Sequence, residues 1–290
     1  MQWDMAHHVR VAWLVMSSKR PVELGREARL FLLFLSEINL VMGALFFVYP
    51  SLVISLWPWP VKALAIRFIG AIFLAIAFGC WSALRAKIWQ RAKILVLVGG
   101  TFFGITSIVS IILSASQGGG YVISAWTGYF LVASLGNLYL LNRYGWPRKP
   151  QDRLGASQPW KTARWFFRIQ TVIVGAFGTM MLLLPGVAQA QFWPWLVATP
   201  TLQMFAGLFL ATCLATGWAS LQTDIGRIRV LLPLDMIFPS LALLAVGIHW
   251  DVISSQSPSA LVTGVWVFIY AFVAVGSAYL YFYSRKITVM

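Results

Sequence analysis

The sequence predicts an all-α, polytopic membrane protein whose eight transmembrane helices form two four-helix repeats of the same orientation. Three observations predict it. The chain is 60% apolar and only 10% charged, with a mean hydropathy of +0.79, whereas soluble domains carry about 25% charged residues. Its apolar residues gather into segments of about 20, the length that crosses a hydrocarbon core. An aromatic turn, Trp57-Pro58-Trp59-Pro60, is answered by Trp193-Pro194-Trp195-Leu196, each between two such segments.

Taken in order, residues 1–28 form a mixed cytoplasmic or interfacial segment in which Trp3, Trp13 and Met16 suit the membrane surface. The first repeat, 29–142, holds spans at 29–49 and 61–84, a third from the following basic loop to about 114, and a fourth at 121–142. Pro50 ends the first span, the basic loop Arg85, Lys87, Arg91 and Lys93 follows the second, and Gln117-Gly118-Gly119-Gly120 turns the chain after the third. Residues 143–164 read as a basic cytoplasmic linker, because Pro147, Pro150 and Pro159 stand among Arg148, Lys149, Arg153 and Lys161. The second repeat, 165–290, holds spans at 165–184, 197–221, 230–250 and 260–284 and closes on a tail with Arg285 and Lys286.

The aromatic turns follow from side-chain chemistry. Proline lacks an N–H and restrains its predecessor, so two prolines among tryptophans break a helix. The indole is apolar with one polar end and settles where membrane meets water. Trp57, Trp59, Trp193 and Trp195 are therefore expected to be interfacial anchors.

Duplication rests on ordered matches. Arg29, Gly43 and Pro50 recur as Arg164, Gly178 and Pro185, and Phe73-Leu74-Ala75 recurs as Phe209-Leu210-Ala211. Trp126, Gly136 and Tyr139-Leu140 recur as Trp266, Gly276 and Tyr279-Leu280. Four spans return the chain to its starting side, so the repeats are parallel. Nearly all Lys and Arg fall on one side, with only Lys62 in the opposite loops, which puts both termini in the cytoplasm of a bacterial-type plasma membrane. The same rule accounts for the net charge of +14, so nucleic acid is not a partner. The expected partners are the bilayer, anionic lipid head groups at the basic loops, and another membrane protein.

Charges inside spans are costly and are the default functional positions. Glu37 falls near the middle of the first span, Arg67 in the outer part of the second, and Arg168 and Asp235 near the cytoplasmic ends of the fifth and seventh. Depth pairs Glu37 loosely with Arg67 and Arg168 more closely with Asp235. The repeat places Arg67 opposite Gln203, Glu37 opposite Val172 and Asp235 opposite Gly99, so the halves use these positions differently. Glu37, Arg67, Arg168, Gln203 and Asp235 form the candidate polar site. Pro233 and Pro239 bracket Asp235, and a kinked helix with freed carbonyls beside a carboxylate is one way to hold a cation.

No metal centre or cofactor is expected. Cys80 and Cys213 lie in spans and form no CxxC, and the spans lack the second histidine that a bis-histidine haem needs. HExxH, P-loop and GxSxG motifs are absent, so no catalytic residue is assigned. The resulting expectation is a non-enzymatic scaffold or accessory membrane subunit. The alternative is a carrier or channel for a small or amphiphilic solute, with a path between the repeats lined by the five polar residues. A membrane enzyme using Asp235 or Glu37 as acid or base requires a second catalytic group within hydrogen-bonding reach.

Overall fold

The computed structural model describes residues 22–117, 120–146, 158–222, 225–256 and 259–289. Expectations for the N-terminal segment before residue 22, the glycine loop at 118–119 and the linker at 147–157 lie outside the described residues. The described chain is helical, with one isolated antiparallel bridge between Glu23 and Ile88. The long helices are α1 Arg26–Val48, α2 Ala63–Ala86, α3 Trp89–Gln117, α4 Tyr121–Tyr144, α5 Gln158–Leu183, α6 Thr199–Ser220, α7 Leu232–Ile248 and α8 Ala260–Val289.

Six of them, α1, α2, α3, α5, α6 and α8, are long and apolar enough to cross a membrane. The other two fall short of the expected spans for different reasons. Helix α4 is as long, but Ser124, Thr127, Ser134, Asn137 and Asn142 lower its apolarity. Helix α7 has 17 residues and continues, after an 81° bend, into a short helix Trp250–Gln256.

Helix α5 begins at Gln158, inside what reads from sequence as linker. Pro159 does not prevent this, because it stands in the first turn, where an N–H has no intrahelical partner to lose. Helix α1 stops at Val48, before Pro50, and α5 stops at Leu183, before Pro185. In each case a short helix follows, Pro50–Val53 or Pro185–Gln191, with its proline at the start.

Packing follows one plan in both halves. Helix α1 lies along α2 and α5 along α6, while α3 lies along α4 and α7 along α8. The pairs then cross over, α3 of the first half packing on α6 of the second and α7 of the second on α2 of the first. Small residues permit the close approaches. A Cβ on Gly43 of α1 would lie 2.7 Å from the backbone N of Leu74 in α2, and one on Gly207 of α6 would lie 3.3 Å from Ile105 in α3. Helices α2, α3 and α6 are the most enclosed, whereas α1, α5 and α8 expose an apolar flank.

The four turn tryptophans face inward. Trp57 and Trp59 are 4% and 3% exposed, Trp193 and Trp195 2% and 1%, so their rings do not lie against head groups as anchors would. Trp57 packs on Trp59, Phe46 and Trp126, with ring centroids 5.1, 5.7 and 4.8 Å away. Trp193 and Trp195 pack on Trp266 and on Phe68, the latter from α2 of the other half. Trp59 donates its indole N–H to Thr201 Oγ1 at 2.7 Å, a second link between the halves. Filling the base of each turn with rings buries apolar area there, which outweighs the indole's preference for the boundary.

Candidate functional site

The five candidate residues do not converge. Arg67 and Gln203 occupy matched places near the starts of α2 and α6. Arg67 Nη1 donates to the main-chain O of Phe47, and Gln203 Nε2 donates to that of Leu182 at 3.3 Å. Each acceptor lies three residues before a proline, among the last carbonyls of α1 or α5, which have no helical donor. Both side chains therefore cap the preceding helix. Arg67 also donates through Nε to His249 Nε2 at 3.1 Å, in the turn after α7.

Arg168 does not meet Asp235. It is exposed on α5, with its guanidinium 5.0 Å from the centroid of the Trp165 ring, so the pairing suggested by equal depth is not formed. Glu37 does not meet Arg67 either. It is exposed halfway along α1 and lines an open groove of about 350 Å³ with Ser36, Leu40, Ala77, Phe78 and Trp81. Beside that groove Arg85 lies 3.6 Å over the Trp81 ring.

Among the described residues Asp235 is the one enclosed charge. Pro233 stands in the first turn of α7, and an acidic residue in that turn suits the positive end of the helix dipole. The residue is 2% exposed, and Gln170 Nε2 of α5 donates to its Oδ2 at 3.1 Å. Both line a small, half-open and mainly apolar chamber of about 40 Å³, whose wall also includes Thr212 of α6 and Tyr270 of α8. The remaining wall is apolar, formed by residues such as Leu208, Phe238, Ile269 and Val273. Gln170 Oε1 and the Tyr270 hydroxyl are buried and have no hydrogen-bond partner among the described residues. Pro239 has no N–H, so the carbonyl of Asp235 also lacks its usual helical donor.

Sequence reasoning found Asp235 and its prolines but missed Gln170, Thr212 and Tyr270. The repeat spacing contained the signal. Stepping back by the spacing that applies to each helix pair, 135, 136, 136 and 140 residues, sets Gln170 opposite Leu35, Thr212 opposite Ile76, Asp235 opposite Gly99 and Tyr270 opposite Phe130. Every polar group in the chamber replaces an apolar or absent side chain. Part of the exchange conserves volume, since the Asn137 side chain lies over Gly99 in the first half, where the second has Asp235 and the smaller Ser277.

No cluster of three His, Cys, Asp or Glu residues that could hold a metal occurs among the described residues. Comparison with known protein families, with curated proteins and with solved structures finds no match.

Proposed function

We propose that the chain is a non-enzymatic accessory or scaffold subunit of a membrane assembly and receives a partner's transmembrane helix in the groove beside Glu37. One observation carries this reading. Glu37 is the twelfth of 23 residues in α1, so it lies at mid-span, and it is exposed among Leu33, Phe34, Leu40 and Val41. An ionisable group facing hydrocarbon is expensive, and such groups ordinarily meet protein. A partner helix bearing a basic or hydrogen-bonding residue at that depth supplies the missing contact.

The rest of the notional architecture belongs to the same proposal. Eight membrane crossings in two parallel repeats are supported by the recurring sequence matches and by the like packing of α1 on α2 and α5 on α6. Placement in a bacterial-type plasma membrane with both termini cytoplasmic is supported by the one-sided distribution of Lys and Arg. The basic loops then face anionic lipid. A carrier with a path between the repeats needs the five polar residues in one cavity, and they lie in separate places.

Native mass spectrometry after mild detergent extraction tests the reading. A second membrane polypeptide at fixed stoichiometry is expected with the natural chain, and its loss is expected with Glu37→Arg at unchanged melting temperature. A lone chain carrying only lipid, or a partner indifferent to Glu37→Arg, counts against it.

A further inference from the structure

We propose that the partner helix received beside Glu37 carries a lysine or arginine at mid-span and an aspartate or glutamate seven residues along, so that its two charges meet Glu37 and Arg85 together. This rests on the partner reading above and adds to it the partner's chemistry and register.

Two fixed points set the register. Ser36 Oγ of α1 donates to the main-chain O of Ala77 in α2 at 3.1 Å, which puts Glu37 level with Ala77. Arg85 stands eight residues farther along α2, about 12 Å away at the helical rise. Both charges are exposed, and Glu37 has no hydrogen-bond or ion-pair partner among the described residues. The Arg85 guanidinium rests 3.6 Å over the Trp81 ring, which holds that charge along the groove. A straight helix laid there brings residues i and i+7 to one face, two turns and about 10.5 Å apart. The two separations agree within the reach of the side chains. A basic residue opposite Glu37 and an acidic one opposite Arg85 neutralise both, whereas the reverse order sets like charges together at each.

Between the charges the partner meets an aromatic ring. Trp81 is 45% exposed and stands midway between Ala77 and Arg85, so an apolar residue at i+3 or i+4 of the partner packs against it. The repeat confines this combination to one flank of the molecule. Glu37, Trp81 and Arg85 correspond to Val172, Gly217 and Leu221 in the second half, so one partner helix per chain follows. A second copy does not supply that helix, because no described helix carries a basic and an acidic residue seven positions apart. Lipid does not supply it either, since an acyl chain at mid-span offers Glu37 neither charge nor hydrogen bond.

The test uses synthetic leucine- and alanine-rich helices of about 20 residues and the purified full-length chain in lipid nanodiscs, with binding read by energy transfer between fluorophores. One peptide carries Lys at its centre and Glu seven residues along. A second carries the Glu five residues along, which turns it off the shared face, and a third carries neither charge. The first is expected to bind about tenfold more tightly than the uncharged peptide and about threefold more tightly than the second. Glu37→Gln should remove the tenfold advantage, and Arg85→Gln should remove only the difference between the two Glu positions. Both side chains are exposed, so the melting temperature of either variant should match that of the natural chain. Equal binding by all three peptides, no binding by any, or indifference to the position of Glu overturns the proposal. A native partner lost with Glu37→Arg, alongside peptides that ignore charge, leaves the accessory role standing and refutes the register. Charge-selective peptides without a native partner support the register and count against the accessory role.

Discussion

Arg67 and Gln203 serve the same purpose with different chemistry, and the comparison yields a prediction. Each donates to a carbonyl at the end of the preceding helix, so Arg67→Gln keeps the bond that Gln203 makes in the other half. It should change stability by less than about 1 kcal/mol, whereas Arg67→Leu strands a carbonyl and should cost about 1–3 kcal/mol in a thermal melt. The Arg67 bond to His249 depends on pH, because Nε2 accepts only while the ring is neutral. Burial and the neighbouring Arg67 charge hold this imidazole below its ordinary range, so the contribution is present above about pH 6.5 and is lost as pH falls through that lowered range. Melting temperatures at pH 7.5 and 5.5 should therefore differ more in the natural chain than in His249→Leu. The sequence placed Arg67 and Gln203 at equivalent positions, but not their acceptors, since a main-chain carbonyl carries no residue signature.

At the level of elements, close helix approach and one strained cap are the sensitive points. Gly43→Ala puts a methyl 2.7 Å from the Leu74 backbone and 3.0 Å from the Gly70 carbonyl, so α1 must move off α2. The cost should be about 1–3 kcal/mol. Gly247→Ala in α7 meets nothing within 4 Å and should be neutral or mildly stabilising, by up to about 1 kcal/mol. Lys87 closes α2 in the left-handed region at φ 57°, where glycine is the usual residue. Lys87→Gly relieves that conformation and should raise stability by about 1 kcal/mol, read from the same melts. Apolar length and the proline breaks made these helices legible, with ends at 48, 86 and 183 against expected ends at 49, 84 and 184. The inward turn of the four tryptophans was not legible, because a boundary-seeking ring and a core ring have the same sequence.

For the whole molecule, the crossing of α3 onto α6 and of α7 onto α2 makes each half part of the other's interior. A chain truncated after residue 146 should be degraded or aggregate in the membrane fraction, while co-expression with the remainder should restore a protease-resistant complex. Limited proteolysis of the two preparations checks this. The sequence repeat implied two similar units, but not that they exchange contacts, since a spacing is unchanged by which neighbour a helix chooses. For the same reason only the carboxylate was in view: Gln170 is ordinary alone and becomes notable only when α5 brings it to Asp235.

The crossover also sets a clock on biogenesis. Helix α2 ends at Ala86, and the helix that covers one of its faces, α7, is not complete until Ile248. At about 5–20 residues per second, roughly 10–30 s pass between the two. During that interval a surface built for a neighbouring helix faces lipid alone, and any helper that shields nascent membrane helices has its longest engagement with α2 and α3.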